Sequence, residues 1–400
     1  MTKPNELTAT EASRLMASGA LSAEELVRAC LTRIAERDGD VRAWEYIDPD
    51  YALEQARNAD QERASGKVVG PLHGVPVGIK DVIDTADMPT ENGSAIFKGR
   101  RTNHDAACVA ALRAAGAVIL GKTVTTELAN IAPSKTRNPH DLEHSPGGSS
   151  AGSGAAVGDH QVPLALGTQT GGSVIRPASF NGIYGLKPTL GYIPRGGVLM
   201  QSHTLDTVGV YGRSVEDLGL ISDALSAFDP EDQWSFRGSR GSLSDALAQE
   251  PPAPPRFAFL ETPAWDHAED DAKATIRGVA ERLGSQCEAG ALPSPFDRII
   301  DLHLTVMGAE DLAYYGRHLE ATPELLSPQI RERLEAAKSI RADQYIDALI
   351  KREEIYGGLE ALLGQYDAVL CLASAGPAPK GFETTGSAIF NGLWTYLGVP

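Results

Sequence analysis

The sequence predicts an α/β fold, and three observations predict it. A short apolar run, Gly74-Val75-Pro76-Val77-Gly78-Ile79, stops at Lys80-Asp81. An alanine-rich stretch of helical character, about 106–115, follows it and closes at Gly116. Ala117-Val118-Ile119-Leu120 then reads as a second strand. Strand, helix, strand is the order of layered α/β proteins, in which a crossover helix packs on the sheet its strands build. The 400 residues are 42% hydrophobic and 22% charged, which excludes disordered and fibrous classes and leaves enough apolar chain for a large core.

The remaining elements follow in order. Ser22 and Glu25 form an S-x-x-E capping box, after which Leu26, Val27, Cys30, Leu31 and Ile34 recur at helical spacing. A polar helix runs from about Tyr51 to Ala64 and stops near Gly66. From Ser145 to Ser173 the chain is rich in glycine and serine, the composition of a linker. A disordered linker would not carry the apolar Ala155-Ala156-Val157 and Val162-Pro163-Leu164-Ala165-Leu166, so this stretch belongs to the fold. Gly182 to Leu186 reads as a strand and Ser214 to Leu225 as a capped helix. Residues 228–255 are polar and end in Pro251-Pro252-Ala253-Pro254-Pro255, an exposed loop or a boundary. Beyond them come a strand at Phe257 to Leu260 and a mostly helical stretch, about 267–364. Ser327-Pro328 marks a helix start inside that stretch. Asp367 to Leu372 reads as a last strand, and there is no internal repeat.

The formal net charge of −17 gives a surface that repels phosphate backbones and anionic lipid, so neither nucleic acid nor a membrane is expected as a partner. Cys30, Cys108, Cys287 and Cys371 lie far apart and form no C-x-x-C pair. They read as reduced, mostly buried thiols, not as a disulfide framework or a metal site. The N-terminus lacks the apolar stretch of a signal peptide, and no window holds the ~20 apolar residues of a membrane-spanning helix. The expected location is the cytoplasm.

Three segments carry chemistry: Gly78-Ile79-Lys80-Asp81, Pro146-Gly147-Gly148-Ser149-Ser150-Ala151-Gly152-Ser153, and Gly167-Thr168-Gln169-Thr170-Gly171-Gly172-Ser173-Val174-Ile175-Arg176-Pro177-Ala178-Ser179. Ser173 follows two glycines, so consecutive N–H groups stand with little bulk around them, as donors to an oxyanion must. Pro177 suits the start of a helix, whose dipole adds to the effect. A serine hydroxyl attacks only when a base takes its proton. None of the nine histidines sits in a convincing motif; His73, His140, His144 and His160 are near but lack triad spacing. The other known base is a lysine kept neutral by burial, and Lys80 ends an apolar strand. Ser149 then serves as a shuttle that takes a proton from Ser173 and passes its own to Lys80. Each segment alone has a plainer reading: a surface lysine, a loop, a turn. Order, spacing and flanking residues together carry the case.

Taken together, the segments closely resemble the amidase-signature family: a lysine ending a G-[IV]-K-D strand, a GGSS-type loop, and a nucleophile ending a T-GGS segment. Twenty-four residues separate Ser149 from Ser173, as in that family. The resemblance is densest from 70 to 190 and vague from 230 to 365. It implies an α/β fold of the amidase-signature type, with a large mixed central β-sheet covered by α-helices on both sides. It also implies Ser173 as the acylated nucleophile, Ser149 as the bridging serine behind a cis peptide bond from Gly148, and Lys80 as the buried base. Thr170, Gly171, Gly172 and Ser173 fall at the oxyanion-hole positions, and Gly148 and Ser150 support the bridging loop. Thr168 matches a threonine that orients the bridging serine; the alternative is a hydroxyl that merely satisfies nearby backbone. Arg176 follows Ile175, which takes the place where many members carry their arginine. This resembles a malonamidase-like branch whose arginine meets a substrate carboxylate; the plainer reading is an internal salt bridge that fixes the loop. Leu128, Ile131 and Met200 are expected to shape the pocket together with the helices of 297–364, the alternative being that they are core.

The resemblance implies one catalytic domain over 1–400: N-terminal helices at 1–69, a catalytic core at 70–228, a variable pocket region at 229–365, and a return to the core sheet at 366–400. Members usually continue through another strand, a glycine-rich segment and a closing helix, so the C-terminus is expected either to be cut short or to close a smaller sheet. The expected reaction is hydrolysis of the C–N bond of a small-molecule carboxamide, with no metal and no organic cofactor. Carbamate or ester hydrolysis by the same residues is one alternative. A glutamine-hydrolysing subunit of a tRNA-dependent amidotransferase is another, and a catalytically silent binding protein is a third. Homodimerisation is common among relatives and is left open by the residues.

Overall fold

The computed structural model describes residues 2–238 and 240–400. Six strands make the main sheet: β1 (Trp44–Ile47), β2 (Pro76–Lys80), β3 (Val118–Thr123), β4 (Leu164–Gln169), β5 (Tyr184–Leu186) and β6 (Thr207–Gly212), in the order β1-β3-β2-β4-β6-β5. β2 runs parallel to β3 and β4, and the other pairings are antiparallel, so the sheet is mixed. β2, β3, β4 and β6 are buried along their whole length, the condition of strands covered by helices on both faces. The helix Ala107–Ala114 carries the chain from β2 to β3, and Ala151–Gly158 from β3 to β4. Both connections return the chain to a strand parallel to β2, which needs such a crossover.

The N-terminal helices form where the capping signals place them. Ser22 Oγ accepts from the Glu25 N–H, and Glu25 reaches back to the Ser22 backbone at the start of Ala23–Val41. Asp48 caps Pro49–Ala64, whose proline occupies the first turn. β1 has no counterpart among the expected elements. Its four residues lie at the sheet edge and pair with β3 through a bulge, too short a run to show alternation.

The second half adds a small parallel sheet of β7 (Phe257–Phe259), β8 (Cys287–Ala289) and β9 (Ala368–Leu370), ordered β8-β7-β9. The expected return of 366–400 to the core sheet is therefore corrected. β9 pairs with β7, and the chain then forms the helix Ile389–Leu397. The physical reason is a separate apolar cluster, including Ala258, Phe296, Ile299, Leu359, Leu393 and Tyr396, that gathers these elements. The cluster around the main sheet draws its residues from the first 225 positions. The helices Asp270–Leu283, Ile299–Ala321, Pro328–Ala337 and Ala342–Leu363 fill the stretch predicted to be helical, with β8 as a short interruption. Cys30 and Cys108 are buried, Cys287 and Cys371 only half-buried, and all four are unpaired. Among the described residues no helix is long and apolar enough to cross a membrane.

Candidate active site

Lys80 ends β2, at the carboxyl edge of the parallel strands, where loops rather than strands continue and open α/β sheets place their sites. The side chain is completely buried. Its Nζ donates to Ser149 Oγ and to Thr168 Oγ1, each at 2.7 Å. Burial holds the pKa of Lys80 well below the ordinary lysine value, while the Asp206 carboxylate pulls it upward. Ser149 follows a cis peptide bond from Gly148, as the resemblance implied.

The loop before Ser149 lies directly on the sheet. A Cβ at Gly167 of β4 would stand 2.8 Å from Ser150 Oγ, so only glycine admits that approach. Ser150 Oγ donates to Thr168 O at 3.3 Å and accepts from Thr168 N at 3.2 Å. The Thr126 N–H donates to Ser149 O at 3.1 Å. Thr168 does more than satisfy backbone, because its hydroxyl is the second partner of Lys80.

Ser173 lines a cavity of about 290 Å³ together with Thr170, Gly171 and Gly172. The next two N–H groups, of Val174 and Ile175, donate to Gln169 Oε1 at 2.9 and 3.1 Å. The helix Ile175–Phe180 consequently starts two residues ahead of Pro177. The N–H groups of Gly171, Gly172 and Ser173 donate to nothing among the described residues. Their directions are nonetheless fixed. His303 Nε2 bonds Thr170 O at 3.0 Å, and Thr395 Oγ1 donates to Gly171 O at 2.9 Å. In a planar trans peptide the C=O and N–H point opposite ways, so holding the carbonyls of 170 and 171 aims the N–H groups of 171 and 172. Tyr211 Oη donates to Ser173 O at 3.1 Å. Thr170 Oγ1 is held by Asp206 and by Gln201 Oε1. A Cβ at Gly172 would meet Asn391 Oδ1 at 2.5 Å, so a larger residue there would have to displace the Asn391 side chain.

Burial pushes the His303 pKa down to about 4 and the Asp206 pKa up to about 6. His303 is thus neutral near pH 7, and Nε2 must carry its proton because a carbonyl oxygen only accepts. The structure joins Lys80, Ser149 and Thr168 by hydrogen bonds. Ser173 lines the cavity, and its hydroxyl makes no hydrogen bond among the described residues.

The remaining expected residues divide. Arg176 is buried and lines the cavity, but among the described residues it forms no salt bridge: Nη2 donates to Gly148 O at 2.6 Å and to Thr385 Oγ1 at 3.2 Å. Burial lowers its pKa to about 10. Ile131 is 45% exposed and lines the cavity. Leu128 does not; it is fully buried in a cluster with Tyr315, Leu319, Ile330 and Leu334. Met200 lines a separate small pocket against Thr170 and Asp206. Gln169, His303, Thr395 and Asp206 are not among the expected site residues. Gln169 stands inside one of the three chemical segments. The other three come from distant positions with no pattern of their own. Among the described residues no cluster of three His, Cys, Asp or Glu is placed to hold a metal ion.

Comparison with known proteins agrees with this fold. A family profile described as Amidase matches residues 25–388. Over 241 residues the chain is 47% identical to a glutamyl-tRNA(Gln) amidotransferase subunit from Thermobifida fusca, covering 59% of this chain and 48% of that protein. The chain spans about half the length of several such relatives. It is 34% identical over 424 residues to the Clostridium botulinum protein of the same name, covering 98% of this chain and 86% of that one. Among solved structures, one described with a vestigial protein complex and the origins of an s-triazine catabolic enzyme superposes with a TM-score of 0.92 at 28% identity, covering 98% of this chain and 89% of that one.

Proposed function

Since the chain belongs to the amidase-signature family, we propose that it hydrolyses the C–N bond of a carboxamide through an acyl-enzyme on Ser173, with Ser149 and neutral Lys80 as the proton relay. The observation that carries this reading is the setting of Lys80. Three lysines are fully buried among the described residues: Lys80, Lys122 and Lys187. Lys122 lies 3.6 Å from the Asp81 carboxylate, a counter-ion that favours its charge. Lys187 donates only to the Pro188 carbonyl. Lys80 alone has two hydroxyls as partners and no carboxylate in bonding range. A buried ammonium without a counter-ion costs several kcal/mol, so the proton leaves and a base remains.

The reaction follows from that base. Ser173 Oγ attacks the amide carbon as its proton passes to Ser149 Oγ, and the Ser149 proton passes to Lys80 Nζ. The N–H groups of Gly171, Gly172 and Ser173, at the end of the loop that Thr170 begins, hold the oxyanion. Such a donor contributes about 3–4 kcal/mol in known enzymes. Collapse expels the amine, which takes its proton back through Ser149, and water repeats the sequence on the acyl-enzyme. Arg176 fixes the Gly148 carbonyl and thereby the bridging serine. Esters and carbamates pass through the same oxyanion and are included in the test. The purified chain is assayed on amides, anilides, esters and carbamates, with Ser173→Ala as the control. Loss of both turnover and sulfonyl fluoride labelling in Ser173→Ala is expected; labelling at the normal rate removes Ser173 from its role.

A second reading, release of ammonia from glutamine within an amidotransferase complex, is favoured by the names of the curated relatives. Against it stands the cavity lining, which contains no aspartate or glutamate to receive an amino-acid ammonium group. Hydrolysis of simple amides by the chain alone supports the first reading. Activity on glutamine that appears only when a partner protein is added supports the second.

A further inference from the structure

The fold explains six of the seven glycines in the three chemical segments. At Gly78, Gly148, Gly152, Gly167 and Gly172 a Cβ would come to 3.0 Å or less from a neighbouring atom, and Gly147 has a φ of +84°. Gly171 is the exception. Its φ lies outside the left-handed region. The three atoms nearest to a Cβ there would be Ala388 Cβ, His303 Cε1 and Met307 Sδ, at 3.6, 3.7 and 4.0 Å, which are ordinary van der Waals distances. Alanine therefore fits the fold at 171, and it would cost less conformational entropy on folding than glycine does. Packing gives no reason for glycine at this position.

Ala388, His303 and Met307 all line the cavity that holds Ser173, so the space beside Gly171 is a notch in the wall of that cavity. Its walls are held in place. His303 is bonded to Thr170 O at 3.0 Å, and Met307 follows it by four residues on one face of the helix Ile299–Ala321 and is buried. In the proposed reaction the Gly171 N–H holds the oxyanion, so the substrate atoms over its Cα are those joined to the reacting carbonyl carbon. Two groups are joined to that carbon. The leaving nitrogen must face Ser149, which returns its proton and is bonded to Lys80. The notch is walled instead by the helix Ile299–Ala321 and by Ala388, which leaves it to the acyl side. Resting on the amide-hydrolase reading, we propose that Gly171 is a specificity-determining residue: the space left by its missing side chain takes a substituent on the acyl α-carbon, so that the enzyme accepts amides branched next to the carbonyl. An alanine methyl would occupy the same space and exclude the branch, and the surrounding close-packed walls cannot yield without cost.

The test compares two isomers, 2-methylpropanamide and butanamide, which have the same atoms and differ only in branching at the α-carbon. For the full chain, kcat/KM of the branched isomer is at least that of the linear one. Gly171→Ala lowers the branched-to-linear ratio by about 10- to 100-fold, the range for one carbon in a closed pocket. Adding Met307→Ala to Gly171→Ala reopens the notch from its other wall and restores most of the ratio. Ala388→Val fills the notch without altering the backbone of the oxyanion loop, and it lowers the ratio in the same direction. Turnover of butanamide shows within the same experiment that each variant is folded. Calorimetric binding of both isomers to Ser173→Ala, with and without Ala388→Val, reads the notch independently of chemistry. An equal loss on both isomers in Gly171→Ala assigns Gly171 to the oxyanion donors alone and overturns the inference, as does a ratio that Ala388→Val leaves unaltered; hydrolysis of butanamide leaves the hydrolase reading standing in either case. Binding of the branched isomer that Ala388→Val abolishes, without turnover of either amide, supports the notch and overturns the hydrolase reading instead.

Discussion

Burial and one carboxylate pull on Lys80 in opposite directions, and burial wins. Because the base must be neutral, kcat/KM rises with pH as Lys80 loses its proton, with a midpoint below the ordinary lysine range. The Asp206 carboxylate is the influence that raises Lys80, and Asp206 itself titrates at about 6. Asp206→Asn removes that negative charge, so Lys80 gives up its proton at lower pH and the acid limb of the profile moves to the acid side. A pH profile of kcat/KM for both proteins checks this, and a midpoint displaced to higher pH contradicts the assignment. At this scale legibility follows chain distance. Lys80, Ser149 and Ser173 are readable as candidates because their three contiguous segments, each with a plainer reading alone, stand in one order and spacing. His303 and Thr395 act on the loop from 133 and 224 residues away, and nothing in their neighbourhoods marks them.

Whole elements, not single loops, hold the proposed oxyanion donors. The helix Ile389–Leu397 reaches the loop through Thr395, which donates to Gly171 O and accepts from Gln169 Nε2 at 3.0 Å. The helix Ile299–Ala321 reaches it through His303. Thr395→Val removes the hydroxyl at nearly constant volume. It is expected to lower kcat about tenfold at near-constant KM, as loss of a hydrogen bond that aims a donor would. Thr395→Ser restores the rate. A KM effect that serine does not rescue marks Thr395 as merely structural. Element identity is legible wherever a cap or a long apolar run exists, as at Ser22, Ser214 and β2. It fails for β1 and β8, whose four and three residues carry no periodicity, and for β6, which has no counterpart among the expected elements. It fails too for the partner of β9, because strand order follows from tertiary packing and not from the strand itself. Leu128 shows the same limit: its cluster lies on helices about 190 residues later, so sequence proximity to Ile131 misplaces it.

The distribution of apolar contacts divides the molecule unevenly. The cluster around the main sheet is built wholly from residues of the first 225 positions, and the second-half cluster borrows only Leu205 from that region. Lys80, Ser149 and Thr168 all belong to the first unit, which ends where the polar stretch 228–255 begins. The cavity does not: Ile300, His303, Arg333, Thr385 and Ile389 are among its walls. We therefore propose that residues 1–228 form a folding unit that contains the relay but not a working site. A chain of that size buries enough surface for an independent core. Expressed alone, it is expected to unfold cooperatively on heating. It is also expected to show no amide hydrolysis, because Gly171 and Thr170 have lost the groups that hold their carbonyls. Circular dichroism melting and an amide-hydrolysis assay check the two parts separately. A fragment that never folds shows that the second half stabilises the first, and a folded fragment that hydrolyses amides shows that the pinned carbonyls are dispensable.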